Sequence, residues 1–249
     1  MQPKEITSKM DHILTQPSIK NRVAMVGIEL EGGWNEIPKG IQIQRDGSVA
    51  IPATTLGPKL VGELPSKALE VGADPEKSEI AEWMRKHYPP FVNQTCGMHV
   101  HMSFKTALTY QRMMTPSYPN AVLFYLKKWA KEEGFPEDHH IWNRLAGKSH
   151  YARAAFNAAS QVQATAKDFD QRRPGNRYTV INYCWGRYNT LECRVLPMMA
   201  EVEQAIRGVN RLIRITNAFL VATASKEPIV ESVATFDVIT ERVESHVYV

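Results

Sequence analysis

Residues 96–104 read CGMHVHMSF, and the alternation inside this run decides the fold. Met98, Val100 and Met102 are apolar, and His99, His101 and Ser103 fall between them. A period of two belongs to a β-strand with one face on a core, because successive side chains point to opposite faces. The polar face then carries two imidazoles two positions apart. Two other stretches repeat the pattern. GIELEGG (27–33) sets Glu29 and Glu31 against Ile28 and Leu30, and TLECRVL (190–196) sets Glu192 and Arg194 against Leu191, Cys193 and Val195.

Working outward, the first strand spans Val23–Glu31 and breaks at Gly32-Gly33. Residues 39–72 hold short apolar pieces cut by Asp46-Gly47, Pro52, Gly57-Pro58, Gly62 and Gly72, and read as strands and turns. Pro75 opens a helix that places Ile80, Trp83, Met84 and His87 on one face and stops at Pro89-Pro90. A second helix covers Asn120–Glu133 and ends at Gly134, and an Ala-rich one runs from about Ser149 to Lys167. A basic turn covers Gln171–Gly175. Tyr178–Tyr183 and Thr190–Leu196 alternate like a hairpin joined near Gly186, and residues 201–224 carry the longest helical pattern.

Strands do not alternate regularly with helices, so a doubly wound parallel sheet is not expected. The order predicts an α+β fold, with a mainly antiparallel sheet and helices packed on one face. Residues 1–22 read as a loosely held arm, 23–227 as the functional domain, and 228–249 as an extended segment able to serve as an oligomerisation arm.

Composition narrows the function. Of the 249 residues 43% are hydrophobic and 22% charged, which is globular rather than disordered. A net charge of +4 is too small to argue for nucleic acid but suits an anionic small ligand. No apolar stretch approaches the ~20 residues that span a bilayer. Three cysteines, Cys96, Cys184 and Cys193, form no Cys-x-x-Cys pair, which predicts a reducing, cytoplasmic setting without a thiolate zinc site. Neither a GxxxxGK[ST] loop nor a GxGxxG fingerprint is present, so a P-loop or Rossmann nucleotide site is not supported.

The bland reading of each polar pair is a solvated strand face. Side by side in one sheet, however, the pairs would crowd carboxylates that resist ionisation unless a cation neutralises them. Carboxylates with one imidazole point to Mg²⁺ or Mn²⁺. Arg172, Arg173, Arg177, Arg187 and Arg194 form a basic cluster beside Glu192, and planar guanidinium groups suit phosphate or carboxylate. Metal beside arginine is the equipment of phosphoryl transfer. Glu63 in VGELPSK is either a further ligand or a surface acid. Asp46 reads as a turn residue, His139-His140 as an exposed loop, and Arg207, Arg211 and Arg214 as a solvated stripe. Nothing pairs Cys96 with a base.

Glu-x-Glu on an early strand, Gly-Met-His-x-His-x-Ser, and Glu-x-Arg on a late strand resemble the glutamine synthetase and glutamate–cysteine ligase superfamily. With DGS, GEL-P-SK and RY-x-x-x-N added in this order, the chain is most similar to its compact branch, the amidoligases, over roughly residues 25–200. The resemblance implies a curved antiparallel sheet and an ATP-dependent, Mg²⁺- or Mn²⁺-dependent ligase that joins a small-molecule or peptide carboxylate to an amine through an acyl phosphate. Carried over by position, it implies that Glu29, His99 and Glu192 hold the cation on the nucleotide phosphates. Glu31 and Glu63 then hold one near the substrate carboxylate. His101 and Ser103 lie close to the phosphates with Arg177, and Arg187 and Arg194 bind the transferred phosphoryl or the acid. Two alternatives stay open: a His-x-His metal hydrolase, and a ligase-like fold reused as an assembly subunit.

Overall fold

The strand that begins at Val23 does not stop at the glycine pair; it continues to Trp34. It is the longest strand of a computed structural model that describes residues 3–36, 41–52, 57–150, 152–153, 178–184 and 189–224. In chain order the elements are helix α1 (Pro3–Leu14), strands β1 (Val23–Trp34), β2 (Leu60–Pro65) and β3 (Leu69–Glu70), and helix α2 (Glu79–His87). Strand β4 (Gly97–Phe104) and helices α3 (Ala107–Met113), α4 (Ser117–Glu132) and α5 (Ile141–Leu145) follow. The last are β5 (Lys148–Ser149), β6 (Ala152–Arg153), β7 (Ile181–Cys184), β8 (Thr190–Pro197) and helix α6 (Val202–Ala222).

The main sheet runs β2-β1-β4-β8-β7, with β3 pairing beyond β2 on the same edge of β1. All its pairings are antiparallel, so the fold is α+β with a mainly antiparallel sheet, as the element order predicts. One face is apolar: Ile28, Leu30, Met98, Val100, Met102, Leu191, Cys193 and Val195 are all fully buried. Helix α6 meets that face. Its Thr216 hydroxyl sits 3.5 Å from the Met102 sulfur and 2.8 Å from the Tyr118 hydroxyl of α4. Helices α1, α2 and α4 pack around α6.

Several details differ from the sequence expectation. The first 22 residues are not a loose arm. Ile6 and Met10 are buried and Ile13 and Leu14 partly so, a stripe at helical spacing that the polar residues between them conceal. The Tyr125 hydroxyl donates to Thr7 O at 3.0 Å, and Arg214 donates to Leu14 O at 3.2 Å and to Pro17 O at 3.3 Å. The arginine stripe on α6 is therefore structural and not simply solvated; Arg207 pairs with Glu133 at 2.7 Å.

Pro75–Lys77 form a single 3₁₀ turn, and α2 starts only after Ser78, whose side chain accepts from Ala81 N at 3.2 Å as an N-cap. Helix α4 begins at Ser117, and Gly134 beyond its end takes φ 74°. Gly147, at φ 66°, turns the chain after α5, so Ser149 pairs with Ala152 in a small hairpin where the Ala-rich helix was expected to begin. The rest of that helix, the basic turn and the 228–249 segment lie outside the described residues. His139 and His140 are half-buried and stacked 4.3 Å apart, at the start of α5 and not in an exposed loop. Asp46 is a turn residue as read, accepting from Ser48 N at 2.7 Å. No helix among the described residues is long and apolar enough to cross a membrane.

Candidate metal centre

Cross-strand register brings the polar pairs together. Glu29 of β1 faces His99 of β4, Glu31 faces Glu63 of β2, His101 faces Glu192 of β8, and Glu192 faces Asn182 of β7. Directly opposed residues project from the same face, so all of these side chains line the side of the sheet away from α6. Between the pairs Met98–Leu196 and Val100–Cys193 the register shifts, with three steps on β8 against two on β4, and Arg194 lies in that irregular stretch. The face is not solvated: relative exposure is 1% for His99, 3% for Glu31 and 6% for Glu192.

His99 is the hub. Its Nδ1 lies 2.9 Å from Glu29 Oε2, 3.6 Å from Glu192 Oε1 and 3.9 Å from Glu63 Oε2, and its Nε2 lies 3.3 Å from Glu31 Oε1. His101 Nε2 reaches Glu29 Oε1 at 3.0 Å, and its Nδ1 lies 3.1 Å from the Thr190 hydroxyl. Arg194 forms a close ion pair with Glu192 Oε1 and stacks near the Tyr178 ring at 5.9 Å. Asn182 Nδ2 donates to Glu192 Oε2 at 2.9 Å, and the Thr179 hydroxyl donates to Asn182 Oδ1 at 2.6 Å. Four carboxylates are thus gathered within reach of one imidazole.

The electrostatics follow from that crowding. Burial alone would raise the Glu29 pKa, but the His101 and His99 cations outweigh it and hold the carboxyl well below its usual range. Burial likewise disfavours charge on His101, yet the Glu29 carboxylate wins and pushes it up to about 9. Burial and the Arg194 charge oppose protonation of His99, but Glu29, Glu31 and Glu192 raise its pKa. Glu192 is lowered against its burial by His101 and Arg194. Glu63 is the outlier: burial and the Glu29 charge lift it to about 7. Its extra negative charge is what the imidazolium ions leave uncompensated, and a divalent cation is the species that would stabilise it.

Three residues without an assigned role in the sequence reading complete the surroundings. Arg144 of α5, only 3% exposed, donates to Cys96 O and to Arg194 O, each at 3.3 Å, and fastens the start of β4 to β8. Gly97 N–H donates to the Glu31 carboxylate in a short bond. A Cβ on Gly97 would stand 3.1 Å from Glu31 Oε2, 3.1 Å from Arg144 Nη1 and 3.2 Å from His99 Nε2, so only glycine lets the three pack this closely against the strand. Asn182 belongs to the RY-x-x-x-N motif, and its position opposite Glu192 gives it a role. A buried arginine in a short helix distant in sequence offers no comparable signal.

The predicted residues do not all converge. Glu29, Glu31, Glu63, His99, His101, Glu192 and Arg194 do. Ser103 faces the same side but lies further along β4, and its hydroxyl accepts from Met25 N at 3.1 Å. Arg177 and Arg187 lie outside the described residues. Burial raises the pKa of all three cysteines, Cys193 to about 12, which leaves no activated thiol among them.

Two triads place one potential ligand atom each within 4.8 Å of one another: Glu29, His99 and Glu192, and Glu31, Glu63 and His99. Both use the His99 ring, whose Nδ1 faces Glu29 and Glu192 and also lies 3.9 Å from Glu63, while Nε2 faces Glu31. Comparison with protein-family models, with curated proteins and with solved structures finds no match to this chain.

Proposed function

We propose that the chain is an ATP-dependent carboxylate–amine ligase of the amidoligase type, built on a sheet like that of the glutamine synthetase catalytic domain. The observation that carries the reading is the convergence of Glu29, Glu31, Glu63 and Glu192 on His99, on one sheet face. The order of motifs along the chain adds to it.

The donor set suits hard divalent cations. Glu29, His99 and Glu192 would hold one, and Glu31, Glu63 and His99 the other. Gly97 leaves no room for a side chain, since a Cβ would crowd Glu31 and His99, so the backbone there holds both candidate ligands close. Mg²⁺ or Mn²⁺ bound there supplies charge neutralisation for phosphate oxygens. The remaining work falls to the protein. Asn182 and Arg194 fix the two oxygens of Glu192, and His101 fixes one oxygen of Glu29, so the ligands are oriented in advance. Arg194 brings a cation that favours phosphate or carboxylate beside the same carboxylates. In the overall reaction an oxygen of the substrate carboxylate attacks the γ-phosphorus of ATP and ADP leaves. The amine nitrogen then attacks the acyl carbon, phosphate leaves, and the amine loses a proton to solvent. Positioning supplies much of the rate in such a two-step transfer.

The test is phosphate release from ATP with Mg²⁺ and pools of amino acids and amines, run beside Glu29→Gln. Amine-dependent release in the wild type, reduced by a hundredfold or more in the variant, is the expected result. Protein that binds no ATP at millimolar concentration with Mg²⁺, or activity untouched by Glu29→Gln, would overturn the reading.

A further inference from the structure

The helical side of the molecule carries a cavity lined by none of the acid–imidazole residues and unused by the proposed chemistry. It is open to solvent, has a volume of about 560 Å³, and is bounded by α6, the 17–21 segment after α1, the turn at Val71–Glu76 and the end of α4. That volume falls in the range of small-molecule sites. Three arginines of α6 line it, spaced along one helical stripe: Arg207, Arg211 and Arg214.

The three are not equivalent. Arg207 is held by two hydrogen bonds from Nε and Nη2 to the Glu133 carboxylate, at 3.0 and 2.7 Å. Arg214 spends its donors on the carbonyls of Leu14, Gln16 and Pro17, closing the wall of the cavity. Arg211, between them, is nearly uncommitted. Its closest carboxylate is Glu132 at 3.9 Å, and its buried Nε has no hydrogen-bond partner among the described residues. That Nε is closed off from solvent by the protein itself, so what a ligand meets in the cavity is the exposed fifth of the Arg211 side chain, which no closer carboxylate than Glu132 engages. Ile80, Ile213 and Trp129 supply apolar lining to the same cavity.

We propose that this cavity binds a small amphipathic monocarboxylate, its carboxylate on Arg211 and its apolar body against Ile80, Ile213 and Trp129. The two flanking arginines are already engaged, and Asp74, Glu76 and Glu133 also line the cavity, which disfavours a polyanion such as a nucleotide. A carboxylate supplies the two acceptors that a single guanidinium fork requires. The ligand would join α6 to the segment after α1 and to the turn before α2, and so stabilise the helical layer. This inference does not depend on the metal-centre reading.

Phenylacetate, phenylethanol and inorganic phosphate are titrated into the full chain in EDTA, with thermal shift and ligand-observed saturation-transfer NMR as readouts. Phenylacetate should bind saturably and raise the melting temperature, with phenylethanol about tenfold weaker or more, as expected on losing a charge-assisted bond. Arg211→Gln should weaken phenylacetate to a similar degree. Ala73→Trp, on the exposed turn that lines the cavity, should block it without touching the arginine. Glu29→Gln should leave binding unchanged. Absence of saturable phenylacetate binding at millimolar concentration, tighter binding of phosphate than of phenylacetate, or binding that survives both Arg211→Gln and Ala73→Trp overturns the proposal. If Arg211→Gln does not fold, Ala73→Trp decides the outcome alone.

Discussion

Raising the pH should destabilise the metal-free protein, and a divalent cation should reverse that loss. His99, its pKa also raised against its burial by the carboxylates, acts in the same direction, and two further groups set the window. His101 has its folded pKa raised from 6.5 to about 9, so its protonated form contributes stability fully below 6.5, and that contribution disappears as pH rises through 9. Glu63 has its folded pKa raised from 4.5 to about 7, so ionising it costs the folded state as pH rises from 4.5 through 7. Each shift corresponds to on the order of 3 kcal/mol. Between pH 6 and 9.5 the protein loses most of the His101 contribution and the last part of the Glu63 one. At about 2–4 °C per kcal/mol for a domain of this size, the melting temperature in EDTA should fall by roughly 10 °C. Ionised Glu63 and neutral imidazole are also the forms that ligate a cation, so affinity for Mn²⁺ should rise over the same range. Mn²⁺ at a hundred times the dissociation constant it has at pH 6 adds about 2.7 kcal/mol there, and the same concentration adds more where the affinity is higher. The gap between melting temperatures with Mn²⁺ and with EDTA should therefore widen from pH 6 to pH 9. Melting curves by circular dichroism measure both. A melting temperature in EDTA that stays flat across this window, or an Mn²⁺ effect that is the same in His99→Ala, would refute the idea that these groups share one buried field.

Two further substitutions probe the architecture. Gly97→Ala puts a methyl group about 3.1 Å from both Glu31 Oε2 and Arg144 Nη1; overpacking should cost about 1–3 kcal/mol, and Mn²⁺ affinity measured by electron paramagnetic resonance should fall about tenfold or more as Glu31 is displaced. Met10→Ala removes a fully buried side chain of α1, so urea unfolding should show a loss of about 2–5 kcal/mol, whereas a loss under about 0.5 kcal/mol would restore the picture of a loose amino-terminal arm.

Much of this fold was legible because it is written in local periodicity. The alternation in GIELEGG, CGMHVHMSF and TLECRVL gave three adjacent strands of the sheet, and the 201–224 pattern gave α6 nearly to the residue. The elements that escaped are those whose signal is weak or shared. Helix α1 buries only a narrow stripe, α3 and α5 span two turns or less, and a proline at position 75 starts a 3₁₀ turn as readily as an α-helix. In the site, the acids and imidazoles were readable as i, i+2 pairs. Arg144 was not, because nothing in IWNRL tells that its guanidinium will be buried against carbonyls some 50 residues away, at Cys96 and Arg194.

Alternation says which residues share a face; it does not say which residues meet. That depends on register, and in this sheet the core sets it. Ile28 opposes Val100 and Leu30 opposes Met98 on the apolar face, while Val100 opposes Cys193 and Met102 opposes Leu191. Sliding β1 by one residue against β4 would turn Glu29 and Glu31 into the layer under α6 and bring Ile28 and Leu30 onto the imidazole face. Every one of those apolar residues is fully buried, so a slip would cost several side chains' worth of burial, at about 1.5–3 kcal/mol each. The repulsion among Glu29, Glu31, Glu63 and Glu192 is therefore held in place by packing on the opposite side of the same strands. That coupling explains how a charged cluster that is unfavourable without a cation can exist preformed. It also explains why the ligands sit on strands: a loop has no second face with which to hold its register against such a force.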